Sequence, residues 1–194
     1  PRQVLLDFQR FHGEDGGRTP AEHFEYALLL SATKQHARAA EVMRRLHAGD
    51  PDRLAFRLGL GRILTRDGKL ESALSMYKQS LELYPGEITV ILPYANTLMT
   101  AGKNEQAYTL LSGVSSKAPG EPKVYKLLAQ AAGKTRRPLQ THTAMAEYYY
   151  LNGFTAQAVE QMQLAEKTPR LSHYQAARIE ARLATFKREL EEKD

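Results

Sequence analysis

Six histidines, His12, His23, His36, His47, His142 and His173, are the side chains of this sequence best suited to hold a metal or to move a proton near neutral pH. Their spacing argues against both roles. A zinc hydrolase helix carries two histidines four residues apart with a glutamate beside the first, and no two of the six stand that close. His23 and His142 hold matching places near the starts of their helices. No cysteine or carboxylate cluster converges on either in sequence, so packing or a solvent-facing position is expected of both. Cysteine is absent, which excludes disulfides and thiolate metal sites. There is no Gly-rich phosphate loop and no nucleophile-elbow pattern. No catalytic residue, metal ligand or cofactor is therefore assigned within the chain. Surfaces are left to do its work.

Two groups of side chains could make such a surface. The first is a concentration of charge. Residues 1–53 carry eight basic and eight acidic groups, 54–116 six and five, and 139–194 seven and eight. The segment 117–138 carries Lys117, Lys123, Lys126, Lys134, Arg136 and Arg137 against Glu121 alone, so the net +5 is concentrated there. It reads as a dock for an acidic partner surface, as a nucleic-acid contact, or as a solvated helix face with a basic loop. Nucleic acid is the weakest of the three, because no aromatic platform interleaves with the cations. The second group is the run Tyr148–Tyr150. Tyr149 is expected in the core, Tyr148 between helices, and Tyr150 turned toward an inner surface.

The elements that must position these groups repeat. Pro51, Pro85 and Pro119 are 34 residues apart, each twelve after an alanine (Ala39, Ala73, Ala107), and Gly68 and Gly102 hold one further fixed place. Few β-branched residues and abundant Ala, Leu, Glu, Gln, Lys and Arg make the chain all-helical. The alanine fits where two antiparallel helices cross closely. The glycine ends a first helix with positive φ, and the proline stops a second helix because it cannot continue the hydrogen-bond ladder. A helix–turn–helix of 34 residues is the length of a tetratricopeptide (TPR) unit. The period predicts an all-α TPR solenoid of antiparallel helix pairs, with units at about 20–53, 54–87 and 88–121. Tyr26, Leu60 and Tyr94 fall in core slots of the first helices, and Met43, Tyr77 and Leu111 in those of the second.

The ladder then steps. The next glycine–alanine pair, Gly153 and Ala158, lies 51 residues beyond Gly102 and Ala107, one and a half periods. One inserted helix over 121–133 accounts for the half unit. Val124, Leu127, Leu128 and Ala131 share a face of it, and Gly133 is placed to end it. A fourth unit is expected at 139–169, with Ala146, Tyr149, Ala158, Met162 and Ala165 in its core. A capping helix follows over 171–191, with Tyr174, Ala177, Ile179, Ala181, Leu183 and Phe186 on its apolar side. At the other end, 3–11 is a short amphipathic piece and 12–19 a Gly-rich linker, so 1–19 is set apart from a TPR domain of 20–194. No apolar run is long enough to span a bilayer. The chain begins at Pro1 without a methionine or signal peptide, as a processed or excised fragment would.

Stacks of this kind bind other chains on the inner surface of their first helices. Projection places Arg62, Arg66, Thr89, Asn96, Glu147 and Tyr150 there, a mixed polar partner-binding groove. The lysine and asparagine clamp by which some TPR domains hold an acidic C-terminus is incomplete, with Leu58, Arg62, Leu92 and Asn96 at its places. Pro93, near the start of a first helix, must begin that helix or bend it.

The strings HTAMAEYYYLNGFTAQAVEQMQLAEK (142–167) and YQAARIEARLATFKREL (174–190), preceded by KLLAQAAGK, permit more. They resemble the C-terminal end of the periplasmic M48-type zinc metalloproteases that carry a TPR tail, the BepA-type family of Gram-negative bacteria. The resemblance covers most of 20–190 and is specific in the last third. It implies a periplasmic role in assembly and quality control of outer-membrane β-barrel proteins. In that role the tail docks on the barrel-assembly machinery and on client barrels, and packs against a linked protease domain. The family's HExxH helix finds no matching position here, so the resemblance implies a non-catalytic module, with zinc belonging to the absent protease domain. The alternative is a free-standing TPR scaffold or adaptor in cell-envelope or pilus assembly.

Overall fold

The structure is a computed structural model that describes residues 1–13, 17, 19–117 and 119–192. Among the described residues it contains eleven α-helices: α1 (Arg2–His12), α2 (Pro20–Ala32), α3 (His36–Gly49), α4 (Leu54–Arg66), α5 (Leu70–Leu83), α6 (Ile88–Thr100), α7 (Asn104–Ser115), α8 (Pro122–Lys134), α9 (Pro138–Leu151), α10 (Thr155–Glu166) and α11 (His173–Glu191). They form two compact units, Pro1–Ala101 and Gly102–Asp194.

One turn recurs five times. Three residues separate α2 from α3, α4 from α5, α6 from α7, α8 from α9 and α9 from α10. In each turn the middle residue is left-handed: Lys34 (φ 66°), Gly68 (77°), Gly102 (75°), Arg136 (56°) and Gly153 (80°). The N–H after it reaches back to close the helix, as in Gln35 to the Leu30 carbonyl, Lys69 to Leu64, Arg137 to Ala132 and Phe154 to Tyr149, each at 2.9 Å. Lys34, Gly68, Gly102 and Arg136 are 34 residues apart without interruption. The ladder thus runs on through α8 and α9, and α9 is joined to α10 by one more copy of the same turn. Gly133, expected to end α8, lies inside it; Arg136 takes the turn instead.

The alanines sit where close crossing demands them: Ala39, Ala73, Ala107 and Ala158 are completely buried. Two glycines inside α4 serve the same end. A Cβ on Gly61 would stand 2.7 Å from the Tyr77 ring, and one on Gly59 would stand 2.8 Å from the Met43 methyl. Tyr26, Met43, Leu60, Ile63 and Tyr77 build the core of the first unit, with Tyr94 half-buried at its edge. Ala146, Ala158, Met162, Ala165, Ile179, Leu183 and Phe186 build one in the second.

At the N-terminus, α1 packs on α2 instead of standing apart. Leu5 and Phe8 are buried, Phe8 stacks 5.9 Å from the Tyr26 ring, and Gln9 Nε2 donates to the Tyr26 hydroxyl at 3.3 Å. Of the expected linker 12–19, residues 14–16 and 18 lie outside the described residues. At the other end, a Ser172–Gln175 capping box starts α11. That helix buries only Ile179, Leu183 and Phe186, a stripe narrower than expected. Tyr174, Ala177 and Ala181 are exposed, since the one-sided support of α10 covers a single helical stripe. Helix α6 runs through Pro93 undivided. No described helix is long and apolar enough to cross a membrane.

Candidate partner-binding surfaces

Within residues 102–194, helices α7, α8, α9, α10 and α11 line a groove of about 760 Å³. Leu128, Ala144, Met162 and Ile179 contribute apolar lining. Tyr108, Ser112 and Ser115 of α7, Tyr125 of α8, Thr143 of α9 and Thr185 of α11 contribute hydroxyls. Its fixed feature is an ion pair: Arg182 donates from Nε (2.7 Å) and Nη2 (2.6 Å) to the two carboxylate oxygens of Glu147. These hydrogen bonds push the Arg182 pKa still higher, and its guanidinium lies 4.6 Å over the Tyr150 ring and 4.5 Å over that of Phe186. The Tyr150 hydroxyl donates to Glu189, a bond that raises the tyrosine's pKa. Burial, then the Glu147 carboxylate, pushes Tyr125 up against the opposing pull of Arg182. Arg178 is exposed at the groove, 5.7 Å from the Tyr174 ring, with no carboxylate partner among the described residues.

The basic segment splits into two kinds of cation. Arg137 is half-buried, paired with Glu105 at 3.0 Å and stacked 4.5 Å over Tyr108, so it holds α7 to the start of α9. Lys117, Lys123, Lys126, Lys134 and Arg136 are exposed. Among them Lys126 has its ammonium 5.6 Å over the Tyr148 ring. Glu121 is spent on the N-cap of α8, where its carboxylate accepts from the Lys123 N–H at 3.3 Å.

In the first unit, Arg62, Arg66, Thr89 and Asn96 are exposed. Arg66 donates to Ser31 Oγ at 3.3 Å, bridging α4 to α2. Thr89 donates from its hydroxyl at 2.8 Å and from its backbone at 3.1 Å to Glu87, holding that carboxyl below its usual 4.5. Beneath them Thr65 and Thr97 meet at 3.0 Å, and burial pushes the neighbouring Tyr77 hydroxyl up to about 12. A separate cleft of about 480 Å³, lined by His23, Val42, Leu46 and Phe56 with Arg45 and Arg53 at its margin, lies among α2, α3 and α4.

Residues 64–131 match the family model for the tetratricopeptide repeat. The chain superposes on solved TPR structures at low identity. One is a MamA fragment from Desulfovibrio magneticus (TM-score 0.61, 15% identity, 90% of this chain and 98% of that one). Another is a TPR protein from Parabacteroides merdae (0.63, 19%, 86% and 66%). A third is a TPR protein from Thermus thermophilus (0.53, 14%, 87% and 98%). The fold is that of a TPR solenoid. No curated protein matches the sequence.

Placed on these TPR units, the six groove residues expected from sequence divide. Arg62, Arg66, Thr89 and Asn96 lie in the unit 1–101; Glu147 and Tyr150 lie in 102–194, bridged by Arg182. Tyr149, expected in the core, is half-buried against it, with its ring 6.5 Å from Phe154. The histidines serve locally: His23 Nδ1 donates to the Thr19 carbonyl at 2.9 Å, and His142 Nδ1 to Gln161 at 3.0 Å. Among the described residues no three His, Asp or Glu side chains converge to hold a metal. Tyr108, Ser112, Tyr125, Thr143 and Arg178 were not singled out from sequence. Projection passes over Tyr108 and Ser112 because α7 is a second helix, and over Tyr125 and Arg178 because α8 and α11 lie outside the expected first helices; Thr143 lies on the expected first helix α9 but no sequence signal marked it.

Proposed function

We propose that this chain is a protein-binding TPR module and that the groove of residues 102–194 takes an extended segment of a partner. The observation that carries this reading is the Glu147–Arg182 pair. With those two charges satisfied by each other, the groove offers a preset array of hydroxyls and one open guanidinium, Arg178, beside apolar lining. Ser115, Tyr125, Thr143 and Thr185 already donate to carbonyls of the chain, so their oxygens suit the N–H groups of an extended polypeptide, and this preorganisation lowers the cost of ordering on binding.

The strings 142–167 and 174–190 support a more specific setting. In it the module is the non-catalytic tail of a periplasmic M48-type metalloprotease, presenting outer-membrane assembly machinery or client β-barrels to the protease. A second reading, a scaffold that works without a protease, draws support from the 98% coverage of the solved MamA chain.

The groove is tested by fluorescence anisotropy with a labelled, urea-diluted outer-membrane β-barrel protein as probe. Thr143→Arg, which fills the groove, is expected to abolish binding that the unaltered chain shows. Equal binding by both proteins overturns the assignment of the groove. The protease setting is tested separately, by the coding sequence upstream of Pro1. A signal peptide and an HExxH helix there are expected; without them the scaffold reading stands.

A further inference from the structure

We infer that the outward face of α8 is a second docking surface, built for an acidic segment of a partner protein. Lys123, Lys126, Gln130 and Lys134 follow one another at intervals of three, four and four residues, which places them on one helical face, and all four are exposed. At 1.5 Å per residue the row is about 16 Å long. Lys117 and Arg136 extend the positive charge beyond its two ends.

Two observations separate this row from an ordinary solvated face. Two cations of the same unit, Arg137 and Arg182, have carboxylate partners, Glu105 and Glu147, while Arg178 has none among the described residues. The lysines of α8 have none among the described residues, and the one acidic residue of their segment is committed to capping. Lys123 also stands in the first turn of its helix, where a positive charge opposes the macrodipole, so the fold itself gains nothing from it there.

The chemistry of the face selects the partner. Of the apolar residues of α8, Val124, Leu128, Ala129, Ala131 and Ala132 are buried and Tyr125 and Leu127 half-buried, so no exposed apolar wedge is left to enter a bilayer. The adjacent ring of Tyr148 is covered by Lys126, which leaves no open platform for a base. An extended acidic segment sets same-side carboxylates about 7 Å apart, so three of them match the length of the row. This surface is distinct from the groove, and neither reading depends on the other.

The test is anisotropy of a fluorescein-labelled peptide of alternating Glu and Ser against the full chain, with a Gln/Ser peptide as control. The acidic peptide is expected to bind and the control not, with binding weakening steeply between about 50 mM and about 200 mM salt. The combined variant Lys123→Gln, Lys126→Gln, Lys134→Gln is expected to weaken binding about tenfold, the sum of three exposed ion pairs. Lys78→Gln, at an exposed lysine of α5 outside the row and the groove, is expected to leave it unchanged. If the triple variant loses helicity by circular dichroism, Lys126→Gln alone carries the test, with a smaller loss in the same direction. The proposal is overturned by no peptide binding at low salt or by unaltered binding in the variant. Tighter binding to phosphatidylglycerol vesicles or to single-stranded DNA than to the peptide also overturns it.

Discussion

Gly68→Ala isolates the recurring turn from everything around it. A Cβ at this position meets nothing within 4 Å, so the new methyl neither clashes nor packs. What remains is backbone: φ is 77°, where a Cβ crowds the following carbonyl at a cost of about 1–2 kcal/mol. Alanine also restricts the unfolded chain, which returns about 0.4–1 kcal/mol. The net loss is about 1 kcal/mol, or a fall of about 2–4 °C in thermal midpoint for a chain of this size. The converse substitution, Lys34→Gly at φ 66°, relieves the same strain and is expected to gain up to about 1 kcal/mol. Urea unfolding followed by circular dichroism reads both, with the midpoint moving and the slope unchanged. A neutral or stabilising Gly68→Ala, or a destabilising Lys34→Gly, would refute the claim that one left-handed turn is repeated at both places.

Gly61→Ala drives a methyl into the buried Tyr77 ring, and the expected overpacking cost of about 1–3 kcal/mol exceeds the gain of about 1 kcal/mol in helix propensity. Gly59→Ala meets the flexible end of Met43 at 2.8 Å and the half-buried Phe24 ring at 3.0 Å, and is expected to cost less; thermal melts of the two variants give the ranking. Glu87 caps α6 with its carboxyl held below 4.5, so its contribution is present above that pH and is lost as pH falls through the lowered value. Glu87→Gln is therefore expected to be less stable than the unaltered chain at neutral pH, with the gap closing under acid, as measured by melting across pH.

The helix pairs were legible because sterics and sequence agree at Ala39, Ala73 and Ala107: only a small side chain fits where α3, α5 and α7 are crossed. The turn register was legible only where glycine marks it. Lys34 and Arg136 occupy the same left-handed position, and a strain of about 1–2 kcal/mol is small enough for a folded chain to carry, so the period passes through them unmarked. The charge on 117–138 could be counted in advance, but its division could not. Arg137 finds Glu105 and Tyr108 only after α7 and α9 are brought together by packing. The groove residues Tyr108, Ser112 and Arg178 were missed for a related reason, since none occupies a first-helix slot of the expected units.

That last miss follows from the half unit itself. In residues 1–101 the first helices α2, α4 and α6 adjoin, as the Arg66–Ser31 and Thr65–Thr97 contacts record. In residues 102–194 the groove draws mainly on α7, α9 and α11. The turn at Arg136 makes α9 the second helix of a pair, and the turn at Gly153 makes it the first helix of the next. A helix that serves both roles moves the exposed positions by one helix, so that a second helix, α7, lines the same groove as α9 and α11. The residues available to a partner there are therefore not those that a strict repeat would present. The same displacement brings Glu147 of α9 against Arg182 of α11 and leaves the lysines of α8 on another face. One extra half unit is enough to give a repetitive scaffold two chemically different surfaces, a hydroxyl-lined groove and a basic row.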